Sequence, residues 1–191
     1  MLNIGKILLV DRGEITMKKL MKILLVSILS IGFFACSQKE EEKVLDGVQG
    51  DVLKTMFYSY GINDAYFQEQ IGDTITTEGK QFLIVDVTVI NEKEESVLMA
   101  DTDFYLTYGE DGRAEPLSVY GGDPLLEDEL PREYTVEAAS DKTGKLLFVV
   151  PLEETTFYLK AQDHYKTSES EEIVDGDTYS LSFTVEKKES E

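Results

Sequence analysis

Three kinds of side chain in this 191-residue sequence can do chemistry: a single thiol, Cys36, a single imidazole, His164, and a scatter of paired carboxylates. A lone histidine cannot build a histidine-based metal site. No serine sits in a Gly-x-Ser-x-Gly elbow, so a Ser-His-Asp set around His164 has no support, and His164 reads as a solvated loop histidine. There is no phosphate loop, no dinucleotide fingerprint and no metal-binding cysteine pair. The carboxylates remain: Asp101 with Asp103, Glu110-Asp111, Glu127-Asp128-Glu129, and Glu171-Glu172 with Asp175 and Asp177. Calcium takes about six to eight oxygens and tolerates irregular loops, so Asp101, Asp103, Asp175 and Asp177 are the metal candidates and calcium the only cofactor in view. None of these runs has the glycine and terminal glutamate of an EF-hand loop, and Asp175-Gly176-Asp177 also suits an ordinary turn before a strand. Carboxylate-based glycoside hydrolysis needs a cleft with stacking aromatics, and the chain has no tryptophan. No catalytic residue is assigned.

Cys36 gains its meaning from what precedes it. Lys18, Lys19 and Lys22 lead into the apolar run Ile23-Leu24-Leu25-Val26-Ser27-Ile28-Leu29-Ser30-Ile31-Gly32-Phe33-Phe34-Ala35. A positive start, a short apolar run and a small residue at the cut mark a secretory signal. The run falls short of the roughly 20 apolar residues that span a bilayer. With cysteine at the cut, Lys18–Cys36 resembles a bacterial lipoprotein signal, departing from it at Phe34, where a small residue is usual. The resemblance implies cleavage before Cys36, lipid on its sulfur, and a protein anchored on the outer side of the cytoplasmic membrane. It also consumes the only thiol, which removes any disulfide or Cys/His pair. Residues 1–16 carry Asp11 and Glu14 ahead of a signal that should be positive. They read as untranslated leader, with Met17 as the start and 17–35 as the signal peptide.

Removing residues 1–35 takes away Lys6, Arg12, Lys18, Lys19 and Lys22 but only Asp11 and Glu14, so the net charge of −20 becomes −23 for the remainder. Nucleic-acid binding needs Lys and Arg to displace counterions, so this chain is excluded from that class. A basic protein or a cation is the partner such a surface attracts.

Residues 36–49 read as a charged tether, because Glu40-Glu41-Glu42 repels itself and no periodicity is present. From there the period is two. Gln81–Asn91 is the strongest strand, with Leu83, Val85, Val87 and Val89 on one face. Its other face, Phe82, Ile84, Asp86, Thr88 and Ile90, is apolar at the ends and polar in the middle. Phe104-Leu106-Tyr108, Leu146-Phe148-Val150, Phe157-Leu159-Ala161 and Tyr179-Leu181-Phe183-Val185 alternate likewise. Weaker strands are expected over 54–60, 64–71 and 97–100, and a turn or two of helix over Pro124–Leu130. Tyr58, Tyr60, Tyr66 and Phe67 form either a partner-binding patch or a half-buried edge. Short strands joined by polar turns, without long helical patterns, predict an all-β antiparallel sandwich over 50–187.

Three of these strands also carry a family likeness. Gly79–Asn91, Asp103-Phe104-Tyr105-Leu106 and Thr143-Gly144-Lys145-Leu146-Leu147-Phe148-Val149-Val150-Pro151 resemble conserved strands of a large family of exported bacterial lipoproteins of unknown function. The resemblance spans about Gly79 to Ala161 and implies an immunoglobulin-like sandwich, similar to the mycobacterial immunoprotective extracellular protein. Where that family often has Pro-Gly before the late strand, this chain has Leu130-Pro131-Arg132-Glu133-Tyr134 and a long lead into Gly144. Gly144 itself suits a bulge or a crowded crossing. The sequence therefore predicts a membrane-anchored, non-enzymatic binding module. A calcium-stabilised surface protein stands as the alternative, and a carboxylate-based envelope hydrolase comes after that.

Overall fold

The computed structural model describes residues 43–117, 123–166 and 172–187. Cys36, the signal peptide, the leader, the tether up to Glu42 and Glu171 lie outside the described residues.

The described residues form thirteen strands: β1 (Val44–Val48), β2 (Val52–Lys54), β3 (Ser59–Gln68), β4 (Gln70–Ile71), β5 (Thr74–Ile75), β6 (Lys80–Asn91), β7 (Val97–Ala100), β8 (Phe104–Tyr108), β9 (Gly112–Ala114), β10 (Glu133–Val136), β11 (Ser140–Pro151), β12 (Thr156–Lys166) and β13 (Ile173–Thr184). The helical content among the described residues is the 3-10 turn Asp101–Asp103. One sheet runs β1-β13-β12-β8-β9 and the other β11-β6-β3-β2, with small ribbons β10-β7 and β4-β5 beside them. Pairing is antiparallel except between β1 and β13, which run parallel from Val44 opposite Thr178 to Val48 opposite Ser182. Val44–Val48 falls inside the stretch read as tether. It pairs because the acidic run stops at Glu42, leaving Val44, Leu45 and Val48 to follow the edge of β13.

The alternation in β6 decides how the sheets stack. Leu83, Val85, Val87 and Val89 face Leu146, Phe148 and Val150 from the neighbouring β11, and all seven join one core with Phe104, Leu106, Phe157, Leu159, Leu181 and Phe183 from the opposite sheet. This is the face-to-face packing that a sheet with one apolar side requires. The mixed outer face of β6 is resolved in two parts. Phe82 and Ile84 form a second apolar cluster with Ile71 and Leu147, covered by Leu125 and Leu126. In the polar middle, Asn63 Nδ2 donates to Asp86 Oδ1 at 2.7 Å and to Thr88 Oγ1 at 2.9 Å.

Two local expectations fail for identifiable reasons. Residues 124–130 are turns, not helix: Glu129 Oε2 accepts the Leu125 and Leu126 amides, and Leu130 N–H donates to Lys145 O. The stretch 54–60 is broken by a tight turn, since Thr55 Oγ1 accepts the amides of Phe57 and Tyr58 at 3.1 Å each. The aromatic group does not form a surface patch. Tyr60 is fully buried, while Phe67 packs edge-on against Phe157.

Candidate functional site

The turn held by Thr55 and the end of β12 sit on opposite sheets, and Asp163 joins them. Phe157, Leu159, Ala161 and Asp163 share one phase of β12, so Asp163 points into the sandwich and is only 4% exposed. A buried carboxylate must be satisfied by hydrogen bonds. Its Oδ2 accepts the Met56 amide at 3.1 Å and the Tyr179 hydroxyl at 3.0 Å. The Tyr179 phenol is pushed up to about 12, by desolvation first and then by its bond to Asp163. The pairing of β12 with β13 slips at this point, between Gln162 and His164. Gly176 lies against the slip, where an added Cβ would come within 2.8 Å of the Tyr165 ring and 3.0 Å of Asp163 Cβ.

Between the Thr55 turn, β7 and this end of β12 lies a cleft of about 250 Å³. Phe57, Tyr58, Val97, Leu98 and Met99 supply apolar wall, while Asp103, Gln162, Asp163 and His164 supply polar wall. Leu98, on β7, is 73% exposed. Asp103 stands at the end of the 3-10 turn, and its Oδ2 accepts the Ala100 amide at 2.8 Å. Partial burial holds its carboxyl above the usual carboxylate range, against the pull of the Ala100 amide and of nearby His164. Tyr58 is likewise raised, by burial first and then by Asp103. Among the described residues no lysine or arginine forms an ion pair with Asp103.

The four carboxylates singled out in the sequence all come to this end of the sandwich, as two separate pairs. Asp101 is 2% exposed, its amide donates to Arg132 O, and its Oδ1 makes no hydrogen bond among the described residues. The buried Tyr134 hydroxyl is also without one, and burial raises its pKa, with Asp103 and Asp101 adding to the effect. Asp175 Oδ1 lies 2.9 Å from His164 Nδ1, and Asp177 Oδ1 accepts the Lys43 amide at 3.2 Å. Among the described residues no three His, Cys, Asp or Glu side chains converge in a way that can hold a metal. His164 stands on β12, not in a loop, and its exposed ring links the Asp175 pair to the cleft.

The sequence reading passed over Asp163, Phe57 and Leu98. Asp163 had a legible signal: it continues the inward phase of Phe157, Leu159 and Ala161. Leu98 had none, because nothing local shows which side of a four-residue strand meets solvent.

The sequence profile of a domain of unknown function, DUF4352, matches residues 49–173, and the chain belongs to that family. No curated protein matches the chain in sequence. Among solved structures, the yjhA protein of Bacillus subtilis is similar at a TM-score of 0.53 and 22% identity, over 73% of this chain and 99% of that one. At that identity the likeness shows the fold. A "putative lipoprotein" of Bacillus subtilis, ycdA, gives a TM-score of 0.49 at 20% identity, over 68% of this chain. The match spans 37% of ycdA. An uncharacterized β-sandwich protein of Clostridium difficile gives 0.44 at 12% identity, over 77% of this chain and 99% of that one.

Proposed function

We propose that this member of the DUF4352 family is a membrane-anchored, extracytoplasmic lipoprotein that acts as a binding module without catalytic chemistry. The observation that carries the binding reading is the cleft at the Asp163 end, a concave surface that sets apolar side chains beside convergent polar ones, as ligand sites do. The anchoring reading rests on the signal-like segment ending at Cys36. The described chain begins at Lys43, whose amide bonds Asp177 and whose carbonyl accepts the Thr178 amide, at the level of Gln162 on β12. Six residues lie between Cys36 and Lys43, a reach of at most roughly 25 Å. The immunoglobulin-like reading is supported by strand order. β6 pairs with β11 in one sheet, β8, β12 and β13 lie side by side in the other, and β1 runs parallel to β13 at its edge.

Two measurements test this. Mass spectrometry of the amino-terminal peptide should find it starting at Cys36 and carrying at least two acyl chains, since one chain gives only marginal attachment. An unmodified, uncleaved amino terminus removes the anchor. Separately, a photo-crosslinking residue at Leu98 should give adducts in living cells, and one at Ile75, exposed in the β4-β5 ribbon, should not. Equal yields at both positions count against binding through the cleft.

A further inference from the structure

We infer that the cleft beside Asp103 docks a basic side chain, lysine or arginine, carried on an extended apolar segment of another protein. The inference deepens the binding-module reading and rests on it. Three observations select this occupant.

The first is charge. The cleft wall contains Asp103, His164 and the already hydrogen-bonded Asp163 but no lysine or arginine, on a chain that carries about twice as many acidic as basic residues. A carboxylate drawn out of water without a cationic partner is destabilised, and a bound cation relieves that.

The second is the kind of cation. A divalent metal needs several oxygens around one point. Here no triad of ligating side chains converges among the described residues, and about half of the wall is apolar. Lysine and arginine have the complementary form: an aliphatic stem that lies along apolar surface and a charged head that reaches a carboxylate. Leu98 and Phe57 provide the surface for the stem and Asp103 the end point for the head. The chain already makes one such contact beside the cleft, where Lys93 Nζ sits 5.3 Å from the Phe57 ring centroid.

The third is the rim. Leu98 at 73% exposure and the half-buried Val97 line an opening that a lone amine would leave uncovered. A segment with apolar residues on either side of the basic one buries them.

The full chain, purified in detergent, is titrated by calorimetry with two capped peptides, acetyl-Leu-Lys-Leu-amide and acetyl-Leu-Gln-Leu-amide. The lysine peptide should bind at least about tenfold more tightly, the size of effect expected of a charge-assisted hydrogen bond. Asp103→Asn keeps an acceptor for the Ala100 amide and should remove that preference. Asp73→Asn, an equal loss of charge in the β4-β5 ribbon, should leave it intact. Leu98→Ser should weaken both peptides. Equal binding of the two peptides, no binding of either at millimolar concentration, or equal losses from Asp103→Asn and Asp73→Asn each overturn the inference. Adducts at Leu98 in cells together with any of those results would remove the basic occupant while leaving the binding module in place.

Discussion

A Cβ placed on Gly144 would lie 2.6 Å from Leu130 Cδ2 and 3.0 Å from Asp128 O. The segment leading to β10 crosses β11 at that point, with Leu130 N–H donating to Lys145 O and Lys145 N–H donating to Asp128 O. Leu130 is buried in the main core and cannot swing aside. Gly144→Ala is therefore expected to cost about 1–3 kcal/mol through overpacking. Chemical denaturation should show a lower midpoint with an unchanged slope; an unchanged midpoint would mean that the crossing gives way freely.

The core that β6 and β11 build is continuous, so truncating it should be expensive. Phe148 is fully buried between the sheets, and Phe148→Ala is expected to lose about 3–5 kcal/mol. A loss under about 1 kcal/mol in equilibrium unfolding would show that the two sheets collapse to fill the space.

These two sites also show what the sequence made legible. Alternation in β6 and β11 fixed which residues face inward, because a one-residue slip would expose the whole apolar set. The crowding at Gly144 was readable only as a choice between a bulge and a crossing, since the element it meets, Asp128–Leu130, comes from a loop with no period of its own. The cleft was less legible still. Its walls come from a turn, a four-residue strand and the end of a long strand, brought together by Asp163. Asp101, Asp103, Asp175 and Asp177 stood out as chemistry-bearing types. Their meeting at one end depends on the pairing of β12 with both β13 and β8, which local sequence does not encode.

Asp163 ties the two sheets at the cleft, so its loss should be felt locally as well as globally. Asp163→Ala removes the acceptor for both the Met56 amide and the Tyr179 hydroxyl, an expected cost of about 1–3 kcal/mol. Asp163→Asn retains one acceptor oxygen and should lose less. Amide exchange at Met56 should accelerate in Asp163→Ala more than exchange at Val87. Equal acceleration at both would mean that the effect is global loosening.

Tyrosine burial sets a limit to stability at high pH. Tyr179 is held up to about 12, and burial also raises Tyr58, Tyr60 and Tyr134 above the ordinary phenol value of 10.0. A raised folded-state pKa means that the unfolded chain gives up its proton first. The contribution is complete below pH 10 and is lost as pH climbs through the folded values. Melting temperature should thus fall steeply from pH 10 toward 12, with tyrosinate absorbance rising together with unfolding. Full tyrosinate absorbance near pH 10.5 in a still-folded protein would contradict the burial of these four rings.

Asp103 gives the opposite test at low pH, and it bears on the cleft. Its carboxyl is raised above 3.8, chiefly by desolvation, so the folded state favours the protonated form. The sign follows directly. Below the unfolded value both states hold the proton and the site carries no penalty; as pH rises through the folded value, the wild-type protein begins to bear the cost of a poorly solvated charge. Asp103→Asn has no such charge and keeps an acceptor for the Ala100 amide. At neutral pH the variant should match or exceed the wild type in melting temperature, and its advantage should disappear as pH drops below 3.8. Added lysine peptide should close the same gap at neutral pH by stabilising the wild type alone. A variant less stable than wild type at pH 7, with the deficit shrinking in acid, would show that the Asp103 carboxylate already has its counter-charge within the fold.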